Sequence, residues 1–209
     1  MFNERFGRAA VLAWLQLQPV NAHRSVISTL VVAVGEIGDK TQLLALLLAT
    51  RFRRPVPIVL GILCATVTNH AIAGVIGQWV HGAVSSEVLR WGVGISFMAI
   101  AVWVLVPDKM EKDPALPGRY GVFFITLVAF FLAEIGDKTQ IATIVLAARY
   151  NALVPVVGGT ALGMLLADMP AVLLGHAASR AIPLKAVGLA GAGLFAALGL
   201  LVVLGAGPL

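Results

Sequence analysis

Long apolar stretches alternate with short polar breaks along most of the chain. A membrane-spanning helix needs about 20 predominantly apolar residues. Six stretches meet this length: 26–50, 56–80, 88–107, 120–148, 154–178 and 183–205. Clusters of basic residues and proline separate the stretches, as is typical of the ends of membrane spans. The pattern predicts an all-α integral membrane protein with six transmembrane helices.

The second half of the chain repeats the first. An offset of 98 residues places Glu36 on Glu134. The same offset, without a gap, pairs Arg51 with Arg149, Pro57 with Pro155, Gly61 with Gly159 and Gly77 with Gly175. Each unit holds three spans, an odd number, so the second unit would enter the membrane from the opposite side. The repeat therefore predicts two inverted three-helix units, an arrangement found in many secondary transporters.

These features divide the chain into four parts. We expect an N-terminal interfacial segment at 1–25, a first repeat at 26–107, a linker at 108–119 and a second repeat at 120–205. The apolar run 9–15 is too short to span a bilayer, so the first segment is expected to lie at the membrane surface. That segment also resembles a weak signal peptide, and the sequence leaves its cleavage open.

Lysine and arginine are distributed unequally between the two predicted faces. The face that holds both termini has five: Arg5, Arg8, Arg24, Arg90 and Arg149. The opposite face has eight: Arg51, Arg53, Arg54, Lys109, Lys112, Arg119, Arg180 and Lys185. Basic residues favour the cytoplasmic side. The distribution predicts both termini outside and a cytoplasmic 108–119 linker. Short loops and many small apolar residues are typical of a bacterial protein, so we expect the cytoplasmic (inner) membrane.

Composition supports a membrane protein and excludes other classes. The chain has 209 residues, of which 59% are hydrophobic and 12% charged, whereas soluble domains are about 25% charged. The net charge is +5, but the basic residues lie in short clusters beside apolar stretches. This placement indicates membrane anchoring and no nucleic-acid partner. Cys64 is the only cysteine, so no intrachain disulfide can form.

One seven-residue motif occurs twice inside the apolar stretches. Residues 36–42 and 134–140 both read EIGDKTQ. A centrally placed Asp or Lys costs about 2.5–3.5 kcal/mol on membrane-insertion scales, so charged groups at such positions usually have a function. The duplication therefore predicts a membrane-buried ion site built from two halves near the midplane.

The motif residues are suited to a hard divalent cation. In a helix, residues three apart share a face, so Glu36 and Asp39 are expected to project together, as are Glu134 and Asp137. Oxygen ligands favour Ca²⁺, Mn²⁺ or Mg²⁺. The predicted metal ligands are Glu36, Asp39, Gln42, Glu134, Asp137 and Gln140. Clustered carboxylates repel one another, so protons are expected to compete with the metal. We predict no bound cofactor other than the transported ion.

Other polar residues are assigned supporting roles. Lys40 and Lys138 are expected to pair with an acid or a carbonyl, although an ammonium that occupies the cation's place is also considered. Gly38 and Gly136 permit close helix approach or local unwinding. The hydroxyls of Thr41 and Thr139 serve either the site or the backbone. Three further polar residues are accessory candidates. Asn69 and His70 lie on the second helix of the first unit, and Asp168 lies on the second helix of the second unit.

The duplicated motif resembles that of a known family. Glu36 to Thr41 and Glu134 to Thr139 both fit the pattern E-x-G-D-[K/R]-[S/T] of the Golgi-type calcium/manganese–proton exchangers, the transmembrane protein 165-like family that includes bacterial manganese exporters. The resemblance implies export of Mn²⁺ or Ca²⁺ from the cytosol in exchange for protons, with the acidic motifs as the metal site. Unlike some members, this chain has a short linker of mixed charge.

Two other functions are compatible with buried acids. A passive cation channel is the first alternative, because rings of carboxylates also select cations. The second is an intramembrane aspartyl protease that uses Asp39 and Asp137, but these proteases have glycine at the positions of Glu36 and Glu134. No H-E-x-x-H zinc motif is present, and we expect no enzymatic activity.

Overall fold

A computed structural model describes residues 21–106, 121–174 and 184–205. The predicted linker at 108–119 and most of the predicted N-terminal segment lie outside these ranges. Within them the chain forms eight helices and no strand. The first helix, α1, covers 21–36. The others are α2 (Lys40–Phe52), α3 (Pro55–Ala83), α4 (Ser86–Val104), α5 (Val122–Glu134), α6 (Lys138–Tyr150), α7 (Leu153–Leu174) and α8 (Leu184–Val203).

Both stretches that contain the motif are interrupted. The sequence predicted continuous helices over 26–50 and 120–148, but α1 ends at Glu36 and α5 ends at Glu134. The prediction of continuous helices is therefore wrong, and the closeness of Glu36 and Asp39 does not come from helical spacing. Of the two roles predicted for Gly38 and Gly136, the structure shows local unwinding of the helix.

Glycine and aspartate produce the interruption. Gly38 and Gly136 have φ of 87° and 75°, a left-handed conformation that glycine adopts without a steric penalty. Asp39 then caps α2 by accepting a hydrogen bond from the Lys40 amide, and Asp137 caps α6 by accepting one from the Thr139 amide. Helix capping by aspartate satisfies amides that have no partner within the helix.

Glutamine stabilises the same turn. Gln42 Oε1 accepts a hydrogen bond from the Gly38 amide at 3.0 Å, and Gln140 Oε1 accepts one from the Gly136 amide at 2.8 Å. Arg53 and Asn151 end α2 and α6 in left-handed conformations, again 98 residues apart. The sequence repeat is thus reproduced in the backbone.

Each interrupted pair of helices packs against the second helix of the other half. A Cβ atom on Gly61 of α3 would lie 2.7 Å from Cβ of Thr126 on α5. A Cβ atom on Gly159 of α7 would lie 2.9 Å from Cβ of Ser28 on α1. Both separations are shorter than real Cβ contacts allow, so glycine is required for these helices to approach so closely. The two contacts correspond at the 98-residue offset.

Within the described residues, four helices are long and apolar enough to cross a membrane, and their outer faces are apolar. They are Pro55–Ala83, Ser86–Val104, Leu153–Leu174 and the Ala186–Val203 part of α8. Each exposes large apolar side chains, for example Leu60, Ile95, Leu162 and Leu200. The interruptions leave α1, α2, α5 and α6 too short to span individually.

The requirement for glycine at position 159 can be tested by adding a single methyl group. We expect Gly159→Ala to lower the melting temperature of the detergent-purified protein, because overpacking costs about 1–3 kcal/mol. Gly158→Ala is the matched control, since the structure places no described atom within 4 Å of that Cβ. The control should be neutral or slightly stabilising, because alanine is the better helix former. Equal melting temperatures for the two variants would contradict the close approach of α7 and α1.

Candidate cation site

Three carboxylates converge where the interrupted helices meet. Glu36 ends α1, Asp39 caps α2 and Asp137 caps α6. One oxygen from each lies within 4.8 Å of the other two, and none of the three residues is more than 2% exposed. We call Glu36, Asp39 and Asp137 the carboxylate triad. Both halves of the chain contribute to it, as the duplicated motif predicted.

Two lysines join the halves. Lys40 Nζ lies 3.1 Å from Asp137 Oδ1, and Lys138 Nζ lies 3.2 Å from Asp39 Oδ1. Each lysine thus pairs with the aspartate of the other motif copy, whereas the sequence predicted only that each would pair with some acid or carbonyl. The side chain of Lys138 is 5% exposed and that of Lys40 is 26% exposed. The two crossed ion pairs therefore differ in burial.

The two carboxylate oxygens of Glu36 differ in their hydrogen bonding. The Thr41 hydroxyl donates a hydrogen bond to Glu36 Oε1. Among the residues that the structure describes, Glu36 Oε2 has no hydrogen-bond partner. A buried carboxylate oxygen without a donor is unfavourable unless a cation or a proton satisfies it.

Glu134, the counterpart of Glu36, has a different environment. Thr66 Oγ1 donates to Glu134 Oε1 at 2.7 Å, and Asn69 Nδ2 lies 3.3 Å from Glu134 Oε2. His70 Nε2 is 4.0 Å from the same Oε2 atom. We call these residues around Glu134 the Glu134 pocket. Glu134 is not part of the triad, although the sequence predicted that the two glutamates would be equivalent ligands.

The inequivalence originates on α3 and α7. Positions 66, 69 and 70 of α3 are Thr, Asn and His, whereas the corresponding positions 164, 167 and 168 of α7 are Met, Ala and Asp. Thr66 is not among the site residues predicted from the sequence. It lies one turn from Asn69 and His70 on the same helix face, a spacing that would have identified it.

The remaining predicted site residues lie beside the triad in structural contacts. Gln42 Nε2 donates to the Ala167 carbonyl at 2.9 Å, which ties α2 to α7. Thr139 Oγ1 donates to Asp137 Oδ2 at 3.3 Å. The Oε1 atoms of Gln42 and Gln140 accept hydrogen bonds from the amides of the motif glycines. The role of these two glutamines as metal ligands stays a prediction.

The accessory candidates His70 of α3 and Asp168 of α7 are both fully buried. His70 Nδ1 is 2.9 Å from Thr160 Oγ1. Neither oxygen of Asp168 has a hydrogen-bond partner within the described ranges.

The triad has the chemistry of a site for a hard cation. Ca²⁺–oxygen distances of about 2.3–2.6 Å place oxygens on opposite sides of the ion about 4.6–5.2 Å apart. Triad oxygens within 4.8 Å of one another are compatible with this spacing. Carboxylate ligands suit Ca²⁺, Mn²⁺ and Mg²⁺ better than softer metals. Apolar helices around buried carboxylates are typical of integral membrane proteins that bind or transport cations.

Comparison with known proteins identifies the family. The sequence model of the family described as "Divalent cation/proton antiporter GDT1" matches residues 24–112 and 122–208, one segment in each half. The chain belongs to this family. The resemblance stated from the motif is confirmed, and membership in a family of transporters argues against the protease alternative. No solved structure matches the chain.

Several relatives have names that agree with this assignment. A Vibrio cholerae protein named "Putative manganese exporter" is 49% identical over 170 residues, which cover 81% of this chain and 84% of the relative. A Synechocystis GDT1-like protein is 30% identical over 79% of this chain and 89% of its own length. "GDT1-like protein 3" of Oryza sativa is 31% identical over 78% of this chain and 67% of its own length.

The crossed ion pairs should contribute unequally to stability. Removal of one partner of a buried pair costs about 3–5 kcal/mol, and the cost falls as a pair becomes more accessible to solvent, to about 0–1 kcal/mol for a fully exposed pair. We therefore expect Lys138→Ala to lower the melting temperature of the purified protein more than Lys40→Ala does. The reverse order would show that burial does not control these pairs.

Proposed function

We propose that the chain is a secondary active transporter that exports Mn²⁺, Ca²⁺ or both from the cytosol in exchange for protons. The carboxylate triad is the observation that carries this proposal, because it places acids from both halves of the chain around one buried point. Membership in a family of divalent cation/proton antiporters supports the class of substrate and the coupling ion.

The proposed membrane arrangement has six spans in two inverted repeats. In it, α1 with α2 and α5 with α6 each form one interrupted span, and α3, α4, α7 and α8 form the others. Interrupted helices at a central binding site are typical of transporters with inverted repeats. The crossed lysine–aspartate pairs support a pseudo-two-fold relation between the halves. With both termini outside, the 108–119 linker would be cytoplasmic, in a bacterial inner membrane.

The triad would bind the cation at the membrane midplane. Glu36, Asp39 and Asp137 provide the first oxygens, and Glu134, Gln42 and Gln140 remain further predicted donors. Metal binding requires ionised carboxylates, so binding releases protons and protonation releases the metal. Alternating access would expose this one site to each side in turn.

Manganese is the substrate that the comparisons favour. Carboxylate oxygens alone accept both Mn²⁺ and Ca²⁺, which differ in the cavity size and the number of ligands that they require. The name of the Vibrio cholerae relative refers to manganese export, which supports Mn²⁺ as the first ion to test.

Transport can be tested in proteoliposomes that contain purified protein. We expect Mn²⁺ uptake driven by a pH gradient, with counter-movement of protons. Glu36→Gln, Asp39→Asn and Asp137→Asn should each reduce the initial rate by about tenfold or more, as expected when metal-binding groups are lost. Glu87→Gln is the matched control, because Glu87 is exposed at the start of α4 and should transport normally.

The outcomes separate the possible functions. Metal flux that ignores the pH gradient would indicate a passive channel in place of an antiporter. Normal flux in all three triad variants would remove the proposed site. Absence of flux with both Mn²⁺ and Ca²⁺ in the wild type would contradict the proposed function itself.

A further inference from the structure

The two halves of the candidate site differ at one pair of equivalent positions. His70 on α3 and Asp168 on α7 are 98 residues apart, and both are fully buried. His70 Nε2 lies 4.0 Å from Glu134 Oε2. The repeat therefore places Asp168 beside Glu36, the counterpart of Glu134.

Asp168 lies near other buried carboxylates. It is within electrostatic range of Glu36 on α1, Asp39 on α2 and Glu134 on α5. It has 0% exposure, and neither of its oxygens has a hydrogen-bond partner among the described residues. An unpartnered buried carboxylate is strongly unfavourable. A cation bound next to Asp168 would compensate this charge.

The other half of the site has a different chemistry. Both oxygens of Glu134 accept hydrogen bonds, from Thr66 and Asn69. The imidazole of His70 bonds Thr160 through Nδ1 and occupies the position that corresponds to Asp168. Helix α3 provides no carboxylate beside Glu134, whereas α7 provides Asp168 beside Glu36.

We propose that the cation site is one-sided, with Asp168 as a fourth carboxylate that faces the ion together with Glu36, Asp39 and Asp137. Asp168 lies outside the 4.8 Å triad, so it acts on the ion through its charge or through an intervening water, as is common at calcium sites. The Glu134 pocket then binds no second ion, and each chain binds one divalent cation. This inference rests on the proposed function.

Mn²⁺ binding to the purified protein in nanodiscs provides the first test. Titration calorimetry gives the affinity, and the electron paramagnetic resonance signal of free Mn²⁺ gives the number of ions bound. We expect one ion per chain and a weakening of about tenfold or more for Asp168→Asn, because ligand charge controls the affinity of such sites. Glu87→Gln is again the control. An Asp168→Asn variant with wild-type affinity, or two ions per wild-type chain, would overturn the inference.

Exchange of the two residues provides a test that a purely structural role would not pass. In the wild-type background, Glu36→Gln should weaken Mn²⁺ binding more than Glu134→Gln does. In the double variant His70→Asp/Asp168→His, the same side chains are present in exchanged halves, so this order should reverse. An unchanged order in the exchanged background would overturn the inference, and this comparison decides the question if Asp168→Asn does not fold.

Failure of this inference is distinguishable from failure of the proposed function. If the wild type binds Mn²⁺, Glu36→Gln abolishes binding and Asp168→Asn does not weaken it, only the one-sided site is refuted. If the wild type binds neither Mn²⁺ nor Ca²⁺, the proposed function is refuted and the one-sided site with it.

Discussion

Compensation of buried charge is the constraint on which this structure depends. Lysines and aspartates away from water are tolerated when they pair with one another, and here Lys40 pairs with Asp137 and Lys138 pairs with Asp39, so that the two motif copies are joined by ion pairs. Because each pair joins different halves, each half compensates charge in the motif of the other. The same requirement that makes the motif costly therefore holds the two repeats together at the site.

The interruption of the helices follows from the same constraint. A continuous helix would use the backbone amides of residues 38 and 136 internally, whereas the left-handed glycines release them to Gln42 and Gln140. The aspartates then begin new helices, whose N-terminal ends carry partial positive charge and favour nearby carboxylates. Backbone geometry, capping and electrostatics thus all act at one point in each half.

Much of this arrangement could be predicted from the sequence, and the remainder could not for physical reasons. Apolar length and the break before residue 56 predicted α3, and the repeat predicted that acids of both halves would come together. The partner of each lysine depends on how the halves pack, which no local pattern encodes. The inequivalence of Glu36 and Glu134 was missed because their motifs are identical; it arises from neighbours on other helices, such as Thr66, whose counterpart is Met164.

The covalent linkage of the two repeats has a consequence for what the site can contain. If two identical three-helix chains assembled as a symmetric dimer, the positions equivalent to 70 and 168 would hold the same residue. Such a dimer would have two histidines or two aspartates there, and never one of each. A fused chain, in contrast, can have His70 in one half and Asp168 at the corresponding position of the other, so that the two sides of a pseudo-symmetric site can differ in their preference for a bound ion.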